Sequence, residues 1–383
     1  MKKIPDNLFE PSQQQLNDLL KYYQTGRYDD AEKLSLSITQ EFPKHIFAWK
    51  VLAAVLKQTG RINESLIISQ KTVQLDPQDA KAHNNLGIIM KELGRLEEAE
   101  ASYKQAIKLK PDLAEAHSNL GFIMQELGRL EEACSAFTQA VNLKPDFTDA
   151  YANLAFVIKN VRFNSSNIKF YPPLIYLLNN GNYIRPSDLA PSILSLLKHD
   201  PLIKDLLLEE NFATNLKEAN SIISRLDKLT LLHEIMRVCR LPDLQFEKFF
   251  VSMRNLIIMN LDNFDSTPEF IHFLSSLSLH CFTNEYIYFE KDEETKLVKS
   301  FETEIIETLS RSEQPEVKKI LCLASYRPLH QYNWCQKLKA LDNLQEVKSR
   351  LIEEPYTEKV LVTEIPILEE ISDNVSNKVR EQY

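Results

Sequence analysis

Two consecutive copies of a 34-residue unit occupy residues 80 to 147 and constrain the fold more than any other feature. The first copy reads AKAHNNLGIIMKELGRLEEAEASYKQAIKLKPDL, the second reads AEAHSNLGFIMQELGRLEEACSAFTQAVNLKPDF, and 22 of the 34 positions are identical. A repeat of this period is typical of a solenoid, in which each unit buries its apolar face only by stacking on its neighbours.

The spacing inside each unit predicts a pair of packed helices. In the first copy, Leu86, Gly87 and Met90 share one face of a first helix, and Gly94 offers the positive φ that favours a helix end. Pro111 stops the second helix. That second helix carries an apolar stripe at i, i+4 and i+7, formed by Ala99, Tyr103 and Ala106.

This pattern resembles the tetratricopeptide repeat (TPR). The resemblance depends on the Leu-Gly pair, the Met four residues after Leu86, and the Gly, Ala, aromatic and Pro at their family spacings. It implies an all-α fold in which an α-α solenoid forms a right-handed superhelix. It further implies that the first helices line a concave groove that holds peptides or protein segments.

The same frame extends in both directions and divides the chain. Trp49 and Pro77 fall on the expected positions of an earlier copy, and the frame is lost after Asn160. Proline, asparagine and glycine then punctuate the chain as in a linker. The predicted segments are a lead at 1–11, repeats at 12–45, 46–79, 80–113 and 114–147, a capping helix at 148–160, a linker at 161–190 and a helical domain at 191–383.

The second half is predicted to be an irregular helical bundle. FIHFLSSLSLHCFTNEYIYF is its most apolar stretch and is expected to form the central helix, a further helix is expected near 372–382, and residues 359–363 are its one strand candidate. FLSSLSLHCFTNEYIYFEKDEE, LASYRPLH and IPILEEISDNVSNKVREQY are similar to the middle region of bacterial proteins that join TPRs to a methyltransferase domain. In that family the catalytic domain follows, so this chain is expected to be truncated before it.

Glycine content argues against a cofactor site. A cofactor loop needs glycines for tight turns and close backbone approach, and none follows Gly181. The sequence therefore predicts no cofactor, no methyl transfer by this chain alone, and no enzyme activity.

Composition excludes other classes of partner. The formal net charge is −9 and the pI is about 5.5, so the basic footprint of a nucleic-acid-binding protein is missing. Five cysteines without a CxxC pair indicate reduced thiols. A signal peptide is not expected, since no apolar core follows Lys3, and no apolar run is long enough to predict a membrane span. A cytoplasmic protein with no nucleic acid and no membrane partner is expected.

Catalytic and metal-binding motifs do not rise above background. His233 begins a zinc-helix pattern, but Arg237 stands where the second histidine is required. His272, His280 and Cys281 lack the spacing of metal ligands on one helix. His83 and His117 recur 34 residues apart, which indicates a packing position of the repeat. We predict no catalytic and no metal-binding residue.

Asparagine recurs at one position of the repeat frame and marks the candidate site. Asn85, Asn119 and Asn153 form the series, with Asn17 in the first repeat and Val51 interrupting it. An amide both donates and accepts, so such a ladder can hold an extended backbone regardless of its side chains. The repeats are most similar to those of the bacterial and nuclear O-linked N-acetylglucosamine transferases, where such a ladder holds the protein substrate.

Helical steps of four and three residues add neighbouring groove candidates. They do not form a basic cluster, so recognition of a terminal carboxylate is not indicated. They are Lys81, Asn84, Ile88 and Lys91 in the third repeat and Glu115, Ser118, Phe122 and Gln125 in the fourth.

Three functions follow from these patterns. The first is a protein- or peptide-binding TPR scaffold that uses the asparagine-lined groove. The alternative is the substrate-recruiting part of an S-adenosylmethionine-dependent methyltransferase whose catalytic domain is missing or separately encoded, which would make a methyltransferase domain or subunit a partner. A weaker alternative is a glycosyltransferase-associated TPR protein.

Overall fold

The computed structural model describes residues 10–208 and 216–364, and every regular element in these two ranges is helical. The α-helices of the first half are α1 (Gln13–Gln24), α2 (Tyr28–Glu41), α3 (Ile46–Gln58), α4 (Ile62–Leu75), α5 (Ala80–Glu92), α6 (Leu96–Leu109), α7 (Ala114–Glu126), α8 (Leu130–Leu143), α9 (Thr148–Ile158), α10 (Tyr171–Asn179) and α11 (Pro186–Leu197). Those of the second half are α12 (Leu216–Leu226), α13 (Thr230–Val238), α14 (Leu244–Met259), α15 (Pro268–Thr283), α16 (Asp292–Ser310), α17 (Val317–Ala324), α18 (Gln345–Lys348) and α19 (Glu354–Glu364).

The helices α1 to α8 form four consecutive pairs with the predicted register. In each pair the two helices pack on each other, and the second packs on the first helix of the next pair. Each pair turns at a glycine with positive φ, between 72° and 78°, which is the conformation that a side chain disfavours. These glycines are Gly26, Gly60, Gly94 and Gly128. The all-α solenoid of paired helices is therefore confirmed.

A glycine on the first helix lets an aromatic ring of the second helix lie against the backbone. A Cβ atom added to Gly87 would lie 2.7 Å from a ring carbon of Tyr103, and one added to Gly121 would lie 2.9 Å from Phe137. Both rings are fully buried. Because a real Cβ does not approach this closely, these two glycines are required by packing rather than by backbone conformation.

One position near the start of the first helix ties the second, third and fourth repeats to the turn before them. The indole of Trp49 donates to the Pro43 carbonyl oxygen at 2.9 Å, and the Nε2 atom of His83 lies 3.1 Å from that of Pro77. His117 makes the same contact with Pro111 at 2.9 Å. These histidines occupy a packing position.

Residues 161–190 differ from the linker that the sequence predicts. They contain a 3₁₀ turn at Ile168–Phe170, all of α10 and the start of α11. Pro172 and Pro173 lie in the first turn of α10 and Pro186 begins α11, where a missing N–H has no helical partner to lose, whereas Pro191 lies inside α11. Ser192 Oγ donates to the Ile158 carbonyl oxygen at 2.6 Å, which fixes α11 to the end of α9. The chain divides into compact units at 1–196 and 197–383.

The second unit is organised around α15. This helix packs against α12, α13 and α17, and its Phe270, Phe273 and Leu274 side chains are buried. Its central position agrees with its apolar sequence. Arg254 of α14 is also buried, donates to the Phe289 carbonyl oxygen at 2.7 Å and lies 4.2 Å from the Tyr326 ring centroid.

The strand candidate at 359–363 is wrong, because these residues belong to α19. This helix continues directly from α18 through a π-helical segment, Ser349–Glu353, and the helical hydrogen bonding is already established when it reaches Lys359. Leu361 and Val362 are exposed, so their apolar run reflects no buried strand. The helix predicted near 372–382 lies outside the described residues. Within the described residues, none of the helices combines the length and apolar character needed to cross a bilayer.

The glycine–aromatic contact makes the first prediction. Gly87→Ala places a methyl group against the buried Tyr103 ring, which cannot swing into solvent, and is expected to lower the free energy of unfolding by about 1–3 kcal/mol. Urea unfolding followed by circular dichroism measures the change. Gly181→Ala is the control, since no atom lies within 4 Å of its added Cβ. Equal stability of the two variants would contradict this account of the repeat core.

Candidate functional site

The first helices of the first three repeats share one cavity of about 190 Å³. It receives side chains from α1, α3 and α5, with a floor contributed by α4. The residues that line it are Tyr23, Lys50, Ala53, Ala54, Lys57, Gln58, Ser69, Thr72, Ala82, Asn85, Ile88 and Ile89. The cavity is an open recess with apolar walls, and it lies on the face of the first helices where the groove is predicted.

Two lysines at the rim of the cavity are paired with acids, one at the last position of their own repeat and one in the next repeat. Lys50 forms an ion pair with Asp79, and Lys57 Nζ lies 2.9 Å from a carboxylate oxygen of Glu92. Burial alone would raise the pKa of the Asp79 carboxyl, but hydrogen bonds from Lys50 and from the Ala82 amide hold that pKa below its usual range. The rim is therefore charged but locally neutral, and its aliphatic stems extend the apolar surface.

The asparagine ladder is partly engaged inside the protein. Asn119 Nδ2 donates to Asn84 Oδ1 of the preceding repeat at 3.1 Å. Asn85 is exposed and lines the cavity, and Asn153 is half-buried. Asn17 is exposed and accepts a hydrogen bond from Gln13 at 3.1 Å within its own helix.

The other groove candidates fall into three groups. Ile88 lines the cavity. Lys91 and Phe122, from successive repeats, contact each other, with Lys91 Nζ 4.6 Å from the centroid of the Phe122 ring. Lys81 and Glu115 are exposed. The remaining two are less accessible: Ser118 is buried and Gln125 is half-buried.

Sequence reasoning missed the second repeat's contribution to the site. Lys50 and Lys57 occupy the same frame positions as Asn84 and Lys91, and Tyr23 occupies the corresponding position in the first repeat. The repeat frame could have identified all three.

A second cavity, of about 430 Å³, lies at the end of the solenoid. The face of α9 that corresponds to the groove contributes Ala152, Phe156 and Lys159, and the segment before α11 contributes Tyr183 and Arg185. Phe156 is exposed. The segment that follows α10 thus lies beside the groove face of the last helix of the frame.

The second unit brings together three side chains that the sequence did not group. Ligand atoms of Asp227, His233 and His272 lie within 4.8 Å of one another. However, His233 Nδ1 lies 2.8 Å from Ser276 Oγ, and its Nε2 lies 3.2 Å from the Leu226 carbonyl oxygen. The rings of His233 and His272 are stacked, with their centroids 4.2 Å apart. Their in-plane lone pairs therefore run side by side and do not converge on one ion. This is the arrangement of a satisfied neutral histidine.

The remaining histidine and cysteine candidates are separated by burial. His272 is exposed, whereas His280 and Cys281 are fully buried. Burial raises the pKa of the Cys281 thiol to about 12, which leaves it protonated and unreactive at neutral pH. His280 Nε2 lies 2.6 Å from the Tyr288 hydroxyl, a packing contact inside the unit.

Comparison with known proteins identifies the repeats. Models of the tetratricopeptide repeat match residues 69–101 and 114–147, and a model described as TPR repeat matches residues 89–128. Residues 69 to 147 therefore contain tetratricopeptide repeats, as the helix pairing independently requires. No curated protein matches the chain in sequence.

Several solved structures are similar to part of the chain. The crystal structure of MamA is 23% identical over 37% of this chain and 82% of its own, with a TM-score of 0.35. YrrB, described as a TPR protein with an unusual peptide-binding site, is 14% identical over 50% of this chain and 87% of its own, also at 0.35. The first TPR of Spaghetti (RPAP3), bound to the HSP90 peptide SRMEEVD, is 21% identical over 29% and 89%, at 0.29. Because these scores are below 0.5, the assignment depends on the repeat models and on the helix packing.

The buried histidines make the second prediction. Burial, with a smaller contribution from His272, lowers the pKa of His233 to about 4, and burial lowers that of His280 to about 4. The unfolded chain takes up these protons near pH 6.5 and the folded chain only near pH 4. The stabilisation is therefore complete above pH 6.5 and is lost as the pH falls towards 4. Between pH 7 and pH 5 each histidine is expected to remove about 2 kcal/mol from the free energy of unfolding.

Urea unfolding of His280→Gln at pH 7 and pH 5 tests this. The variant should lose about 2 kcal/mol less than the wild type over that interval. His199→Gln, at an exposed histidine of the same unit, is the control and should follow the wild type. A pH dependence that is identical in His280→Gln and the wild type would contradict the assignment.

Proposed function

We propose that residues 12–160 form a binding module for extended polypeptide and that the protein acts as a scaffold. The observation that carries the proposal is the cavity shared by α1, α3 and α5, because it lies on the face that the repeat presents towards its groove. A binding site for a ligand is expected to be concave, mostly apolar and furnished with a few polar groups. This recess is concave, has apolar walls from Ala54, Ile88 and Ile89, and carries polar groups such as Asn85.

The polar groups beside the recess fit a polypeptide backbone. Asn85 is exposed at the cavity, so its amide is available both to donate to a peptide carbonyl and to accept from a peptide N–H. Asn119 lies one repeat further and Asn153 two repeats further along the same face. The Nδ2 contact of Asn119 with Asn84 fixes the orientation of its amide and leaves its oxygen as an acceptor.

Charge favours recognition of the backbone over recognition of a free carboxylate. Lys50 and Lys57 are already paired with Asp79 and Glu92, so a bound carboxylate would have to displace an acid from each lysine. An extended internal segment, held by amides and by one or two inserted side chains, makes no such demand.

Recruitment of substrates to a methyltransferase stays a second proposal, supported by the resemblance of the second half to TPR–methyltransferase proteins. Its separate test is genetic: a methyltransferase sequence adjoining this one in the genome supports it, and unrelated sequence there removes it. Association with a glycosyltransferase has only the likeness of the asparagine series in its favour. A cytoplasmic location is part of the scaffold proposal and is checked by cell fractionation.

The third prediction concerns the ladder. Asn85→Ala/Asn119→Ala/Asn153→Ala should reduce retention of a degenerate library of 12-residue peptides on the immobilised protein by about 100-fold, since three hydrogen bonds of ~1 kcal/mol each are lost. Quantitative mass spectrometry of the eluted peptides measures the loss.

The matched control is Asn63→Ala/Asn142→Ala, two exposed asparagines on the second helices of their repeats. It should retain the library like the wild type. If the triple variant also retains it unchanged, the asparagines have only a structural role. If the wild type retains no peptide, the groove proposal fails.

A further inference from the structure

The cavity in the second repeat arises from one pair of side chains. The glycine–aromatic contact of the third and fourth repeats joins frame positions 8 and 24, as Gly87 with Tyr103 and Gly121 with Phe137. In the second repeat these positions hold Ala53 and Ser69. The ring that fills the space between the two helices in the later repeats is therefore missing here.

The first repeat shows that a small residue at position 24 does not by itself leave a hole. Ser35 occupies that position there, but Leu19 at position 8 is fully buried and supplies the missing volume from the opposite helix. Among the four repeats, only the second has a small residue at both positions. The cavity is lined by both members of that pair, Ala53 and Ser69.

The size and walls of the cavity suit a planar apolar group. Ala54, Ile88 and Ile89 supply apolar walls. A cavity of about 150 Å³ lined by aliphatic and aromatic side chains is large enough to bind benzene, and this one has about 190 Å³. A phenyl or phenol ring from outside would thus occupy a volume similar to the one that Tyr103 fills in the next repeat.

The floor of the cavity has an unused polar atom. Ser69 is 3% exposed, and its Oγ atom has no hydrogen-bond partner in the described part of the chain. A buried hydroxyl without a partner is uncommon, because buried polar groups are normally paired. A phenol hydroxyl entering the cavity would supply that partner.

From these observations we propose that the second repeat contains a specificity pocket for one aromatic side chain, tyrosine or phenylalanine, of an extended peptide in the groove. This inference rests on the proposed peptide-binding function and adds what that function selects. The ligand ring replaces the aromatic residue that the repeat lacks at position 24. The exposed Asn85 amide at the opening holds the backbone on either side of the inserted residue.

The decisive variant is Ser69→Phe, which restores an aromatic ring at position 24 from within the chain. The probe is a set of 12-residue peptide libraries in which the sixth position is fixed as Phe, Tyr, Leu or Ala and all others are degenerate. The wild type is expected to retain the Phe and Tyr libraries about tenfold better than the Ala library, as burial of one aromatic side chain predicts. Ser69→Phe should retain all four libraries equally.

Gln70→Phe is the matched control, because it adds the same ring at the neighbouring, exposed position of α4. It should keep the aromatic preference of the wild type. Circular dichroism confirms that each variant is folded. A measurement independent of any variant is competition by p-cresol, the free tyrosine side-chain analogue, which should displace the Tyr library from the wild type down to the level of the Ala library.

The outcomes separate the two proposals. If the wild type retains none of the libraries, the groove function itself fails, and this inference with it. If it retains them without an aromatic preference, or if p-cresol displaces nothing, only the pocket is overturned. The same holds if folded Ser69→Phe keeps the aromatic preference. A further variant, Phe9→Ala, tests whether the chain's own amino-terminal segment occupies the pocket. If this variant retains the Phe library at least tenfold better than the wild type does, the pocket is assigned to that segment, which also overturns the proposal.

Discussion

The first half of the molecule depends on the contact between the two helices of one repeat, where frame position 8 of the first helix lies opposite position 24 of the second. Where the first helix offers glycine, an aromatic ring closes the space, as Gly87 and Tyr103 show. In the first repeat the same two positions hold Leu19 and Ser35, and both side chains are buried. This exchange keeps the volume of the core nearly constant, which a close-packed interior requires. The pair Ala53 and Ser69 does not complete the exchange, and the candidate site results.

Most of the polar side chains discussed above are bonded within the solenoid, and one is exposed at the recess. His83 and His117 each contact a carbonyl oxygen in the turn before their own repeat, so these imidazoles serve repeat packing. Lys50 pairs with Asp79 of its own repeat, and Lys57 pairs with Glu92 of the next repeat. The amide of Asn85 is exposed at the recess, where the proposed function requires it to contact a ligand. On the proposed function, such a scaffold would select its ligand by shape and backbone contact more than by charge.

The second unit uses buried polar groups differently. Arg254 is inside the protein and makes carbonyl contacts and ring contacts, while Glu294 accepts a hydrogen bond from the Tyr326 hydroxyl at 2.7 Å. His233 and His280 are held neutral by burial. Removing one member of such a network leaves its partner unsatisfied in a medium of low dielectric constant. The arrangement specifies one packing of the bundle and makes its stability sensitive to acid.

The sequence by itself determined the paired helices and their register, because two 34-residue copies, identical at 22 positions, carry the same local signals at Gly94 and Gly128 and similar packing residues. It also identified α15 as a core helix from its apolar length. Tertiary structure decided the rest. Within residues 161–190, α10 and the start of α11 formed because prolines at a first turn and contacts such as Ser192 with Ile158 outweighed the loop-like composition. The cavity exists because Ala53 and Ser69, small residues on two different helices, both line it. Which residues of two helices lie opposite each other is decided by tertiary packing and cannot be read from the local sequence of either helix.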